Sequence, residues 1–133
     1  MKPPVLELRV ALTAEDFETI FSFYREGLGI EPAEVWTTEH EHGVLFEMGR
    51  GTLEIFDEEH AKTVDHIEAG RRTSGQIRFA LQVPDLDAAL KRLTNKGAVV
   101  IHEPVITPWR HRNVRLQAPD GMQITLFQVL NEE

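Results

Sequence analysis

Leu8-Arg9-Val10-Ala11-Leu12, three residues, then Asp16-Phe17 is matched by Ile77-Arg78-Phe79-Ala80-Leu81, three residues, then Asp85-Leu86, at a constant offset of 69 positions. Each copy begins with a run rich in branched apolar residues and continues into apolar residues at helical spacing, so each reads as a strand feeding a helix. In the first copy Thr13 is the expected N-cap, with Glu15 and Asp16 in the first turn where the helix dipole favours acids. Phe17, Ile20, Phe21, Tyr24 and Leu28 then form one stripe, and Gly29 stops the helix. In the second copy Asp85 caps a helix whose stripe is Leu86, Ala89, Leu90 and Leu93, ending at Lys96-Gly97.

Three strands are expected after each helix. In the first half they are 33–38, 44–48 and 52–56, the last two joined by Gly49-Arg50-Gly51; in the second they are 99–106, 113–117 and 122–129. Ala118-Pro119-Asp120-Gly121 turns the last pair, Pro fixing φ and Gly supplying φ > 0. The polar stretch from Asp57 to Gly75 reads as a linker with a short helix near 59–67. The whole is βαβββ twice, an α+β fold: module 1 over about 4–57, a linker over about 58–75 and module 2 over about 76–130. A half this short cannot cover a sheet face alone, so the two sheets are expected to share one concave cleft within a single domain, 1–133, and the ligand to lie there.

Composition narrows the function. The chain has 133 residues, 22 acidic against 14 basic, a formal net charge of −8 and no cysteine. The charge opposes non-specific nucleic acid binding, and the missing thiols remove disulfide scaffolds, thiolate nucleophiles and Cys-ligated zinc. No signal-peptide-like start and no apolar run of membrane-spanning length occur, so a cytoplasmic protein with no membrane partner is expected.

The repeat, together with Phe23-Tyr24 and Gly27-Leu28-Gly29 in the first half and Asp85-Leu86-Asp87-Ala88-Ala89-Leu90 and Pro119-Asp120-Gly121 in the second, resembles the glyoxalase / bleomycin resistance / dioxygenase family, the vicinal oxygen chelate superfamily. The resemblance covers nearly the whole chain. It implies paired βαβββ modules around a cavity, usually a homodimer, and in the enzymes a divalent metal held by side chains on the first and last strands of the modules. Carried over one position at a time, those four ligand positions fall on Arg9, Glu54, Arg78 and Thr125, and only Glu54 is a usual ligand. A guanidinium has no lone pair for a cation, and two would repel it. No metal and no other cofactor is therefore expected there.

Two readings of the Arg9, Glu54 and Arg78 group remain open. It is either a buried charge network replacing the metal structurally, or a recognition site for a carboxylate, phosphate or enolate oxygen. His40 and His42, two apart, face one side of a strand and offer a weak alternative cation site, or else form a solvated hairpin tip. Trp109, in Thr107-Pro108-Trp109-Arg110-His111-Arg112, and Trp36 are either walls for a flat ligand or core packing; similar family members have Gly where Arg110 stands. The expected ligand-binding set is thus Arg9, Trp36, Glu54, Arg78, Trp109 and Thr125. The leading expectation is metal-free binding of a small organic molecule. The alternatives are a metal-dependent lyase, isomerase or dioxygenase of the same superfamily, a metal-free enzyme with Glu54 as base, and a purely structural module, which would have a filled cleft.

Overall fold

A computed structural model describes residues 9–10, 12–51 and 54–130. The element order is α1 (Phe17–Leu28), β1 (Glu34–Thr37), β2 (His42–Leu45), α2 (Glu58–Ala69), β3 (Phe79–Gln82), α3 (Leu86–Asn95), β4 (Val99–Ile106), β5 (His111–Gln117) and β6 (Gln123–Val129). The second half is a complete βαβββ unit, a four-stranded sheet in the order β3-β6-β5-β4 in which only β3 and β6 run parallel.

The first half is shorter than its sequence suggests. It contributes α1 and an antiparallel β1–β2 hairpin. Arg9, Val10 and Leu12 are not in a strand and neither are residues 54–57; Leu8, Ala11, Thr52 and Leu53 lie outside the described residues. The strands at these positions in the second half, β3 and β6, pair with each other.

Helix boundaries follow local chemistry. Asp16, not Thr13, caps α1: its carboxylate accepts from the Thr19 amide at 3.1 Å and from the Thr19 hydroxyl at 2.7 Å. A carboxylate three residues from two donors displaces a hydroxyl farther upstream. Gly29 closes the helix at φ +72, the left-handed conformation glycine adopts without a Cβ penalty. Asp85 caps α3 as the repeat indicates, and the Gln128 side chain of β6 accepts from the Leu86 amide at 2.8 Å, tying that helix to the sheet.

The core lies on one face of the four-stranded sheet. Phe23 and Ile20 of α1, Leu86, Ala89 and Leu93 of α3, and Val114, Leu116, Ile124 and Leu126 of the sheet are all buried together. A Cβ on Gly27 would come within 2.5 Å of the Leu93 side chain, so this glycine permits the close crossing of α1 over α3. α2, longer than the expected 59–67, packs on the other face, against β4 and β5.

Candidate functional site

The strand sequence Asn113-Val114-Arg115-Leu116 alternates, as does Gln123-Ile124-Thr125-Leu126. With Val114, Leu116, Ile124 and Leu126 in the helical core, strand alternation puts Asn113, Arg115, Gln123 and Thr125 on the opposite face. All four are buried. A buried polar face needs partners, and α2 supplies them through Asp65 and Glu68, which share one side of the helix at i, i+3.

Arg115 is the centre, with a relative exposure of 0%. Its guanidinium donates to Asp65 Oδ1 at 2.8 Å, Glu68 Oε1 at 2.9 Å, Gln123 Oε1 at 3.0 Å and Thr125 Oγ1 at 3.2 Å. Glu68 Oε1 also accepts from the Thr125 hydroxyl at 2.6 Å, and Glu68 Oε2 accepts from Asn113 Nδ2 at 3.0 Å. Asn113 Oδ1 finds no hydrogen-bond donor among the described residues.

Asp65 reaches outward from the same cluster. It accepts from the Thr73 and Ser74 amides, both at 2.8 Å, and from Arg72 at 3.1 Å, so the turn after α2 is folded onto its carboxylate. Burial acts to raise the pKa of Asp65, but the Ser74 and Thr73 amides and the Arg115 guanidinium outweigh it and hold the group well below the ordinary carboxylate range. Arg72 in turn grips Glu58 at 2.8 Å.

Arg78 stands at the edge of this cluster, immediately before β3, with its side chain 14% exposed. It donates to Thr125 Oγ1 at 2.8 Å and lies 3.9 Å from Glu68 Oε1. Burial, and then the neighbouring Arg115 charge, push its pKa down from the usual guanidinium value, while Glu68, Asp65 and Glu54 act in the opposite sense. The pairing of Arg78 with Thr125 joins two of the positions singled out in the sequence.

The other expected residues lie elsewhere. Glu54 is exposed on the segment before α2, close enough for its charge to act on Arg78. Arg9 is exposed and is not without interactions. Trp36 lies on β1, 51% exposed, beside a groove of about 440 Å³ that it forms with Thr38, Glu41, His42 and Gly43 of its own hairpin. Trp109 is 43% exposed in the β4–β5 turn. That turn adjoins Val129 at the far end of β6 from Thr125, four residues or about 13 Å along the strand. Trp109 thus does not flank Arg78. Arg110 in this turn holds φ +64, the left-handed conformation that the Gly usual in similar sequences would adopt freely.

Asp65, Glu68, Arg115, Asn113 and Gln123 escape a reading based on the repeat. The signal for three of them was the polar alternation in β5 and β6; for the two acids it was their i, i+3 spacing in a segment that reads as a polar linker.

The donor chemistry at the family's ligand positions does not fit a divalent cation. Arg78 offers only donors, and Thr125 Oγ1 already accepts from two guanidiniums and gives its proton to Glu68. His42 stacks on Phe17 with ring centroids 5.5 Å apart. Among the described residues no group of three or more His, Asp or Glu side chains converges on a point.

A family model described as the glyoxalase/bleomycin resistance protein/dioxygenase superfamily matches residues 8–126. No curated protein matches the chain. Among solved structures, a protein of unknown function from Agrobacterium tumefaciens is 22% identical, with 96% of this chain and 98% of that one covered and a TM-score of 0.59. TioX from Micromonospora sp. ML1 is 15% identical over the same shares of the two chains, with a TM-score of 0.57. A glyoxalase-related enzyme from Fulvimarina pelagi is 17% identical, with 90% and 87% covered and a TM-score of 0.54. At these identities the likeness is one of fold.

Proposed function

The chain belongs to the glyoxalase/bleomycin resistance/dioxygenase superfamily, and from that premise we propose that it binds a small organic molecule bearing a carboxylate or similar oxyanion, without a metal. Arg78 takes the anion, and Thr125 orients the guanidinium. The observation that carries this reading is the state of Arg78: a largely buried cation at the rim of a polar face whose only hydrogen bond among the described residues goes to a neutral hydroxyl. A guanidinium has five N–H donors in a planar fork, so among the described residues most of its capacity for bidentate recognition is unspent. Arg115 beside it is already paired with Asp65 and Glu68, so the attraction for an anion rests on Arg78.

The test is a calorimetric or NMR titration with benzoate and, separately, inorganic phosphate. Binding by the wild type is expected, and Arg78→Met weakens it roughly tenfold or more, the loss of a charged hydrogen bond. The melting temperature holds, because Glu68 keeps Arg115, Thr125 and Asn113 as partners. Undiminished binding in Arg78→Met overturns the assignment.

We further propose a homodimer. Val35 and Trp36 of the hairpin are exposed apolar side chains, and so are Val99, Val100 and Ile106 of the edge strand β4, surfaces that self-association would cover.

A further inference from the structure

We propose that α2 is a displaceable occupant of the polar sheet face, and that an anionic ligand enters by putting its carboxylate where Glu68 now sits. This rests on the Arg78 reading and names how that site is regulated. The donors that converge on the Glu68 carboxylate, Asn113 and Arg115 of β5 and Thr125 of β6, all belong to the sheet, and Arg78 flanks them just before β3. The acceptor alone comes from another element. What the sheet presents is a carboxylate receptor assembled from adjacent strands, filled by the chain's own acid.

The helix that fills it is held differently from its counterpart on the other face. α3 buries Leu86, Ala89 and Leu93, whereas α2 buries Val64 and Ala69 beside the two charged residues Asp65 and Glu68. Its adhesion is thus mainly ionic, and a buried ion pair contributes little net stability relative to the hydrated, separated charges. A ligand carboxylate takes the place of Glu68 on Arg115, Thr125 and Asn113 while Glu68 regains water; Asp65, which moves with the helix, gives up Arg115. Asp65 keeps its hold on the Thr73 and Ser74 amides beyond the helix, so the segment moves while tethered at that turn.

If only a fraction of molecules has α2 displaced, the apparent affinity falls by that fraction, and loosening the helix restores it. Amide hydrogen exchange of the full-length protein, with and without saturating benzoate, reads the displacement directly. Benzoate is expected to speed exchange over residues 58–69 tenfold or more and to leave α3 unchanged. Two variants loosen α2 by different routes: Glu68→Gln removes the competing charge, and Val64→Ala trims the apolar contact without touching the network. Each is expected to tighten benzoate binding at least fivefold, and binding that appears only in the variants supports the same conclusion. Benzoate that binds the wild type without faster exchange in α2, and with equal affinity in both variants, overturns the displacement and leaves the Arg78 assignment standing. Failure of benzoate to bind the wild type and both variants overturns both.

Discussion

Asp65 and Glu68 sit in a stretch of sequence that reads as polar linker, yet they meet the most deeply buried guanidinium of the chain. Removing one partner of such a pair leaves an uncompensated buried charge, so Asp65→Asn is expected to cost about 3–5 kcal/mol in urea unfolding. The pH dependence has a definite sign. The folded pKa of Asp65 lies below its unfolded value, so its stabilisation is complete above about pH 4 and drains away as pH falls through the folded value. The wild-type melting temperature is expected to fall steeply under acid, and that of Asp65→Asn more gently; parallel curves would contradict this. Arg110 gives a second residue-scale expectation. Its positive φ strains any side chain, so Arg110→Gly leaves the melting temperature unchanged or raises it, whereas the β-branched Arg110→Val lowers stability by about 1–2 kcal/mol.

The two faces of the four-stranded sheet place unlike demands on the helices that cover them. α3 seals an apolar face, and truncating Leu93, which is buried against α1 at Gly27, is expected to cost about 2–5 kcal/mol in urea unfolding as Leu93→Ala. α2 seals a polar face, where hydrogen-bond satisfaction matters more than volume, so Val64→Ala costs less than Leu93→Ala in the same assay. A larger loss from Val64→Ala would mean that α2 is held by packing after all. Element identities were largely legible: Asp85 caps α3, β4 spans 99–106 as its pattern indicates, and the linker helix exists. The misread positions, the α1 cap and the outer strands of the first half, are those where the outcome depended on a competing donor set or on a partner strand.

At the scale of the molecule, the first half lends its helix to the core of the second and leaves its hairpin with exposed apolar side chains. Light scattering after size-exclusion chromatography is expected to give twice the 15.2 kDa chain mass; a monomer at tens of micromolar would remove the homodimer. Among the described residues no helix is long and apolar enough to cross a membrane.

The amino-acid sequence by itself determined the family and the second βαβββ unit, because caps, turns and apolar periodicity act over a few residues. The family resemblance also singled out Arg78 and Thr125, which the fold joins by a hydrogen bond. Only the tertiary structure decided that α2 covers the polar sheet face, that its two acids and not Glu54 neutralise the buried Arg115, and that Trp109 lies toward the other end of β6. These are encounters between side chains up to 57 residues apart, and a buried charge takes whichever partner the packing of whole elements brings within reach.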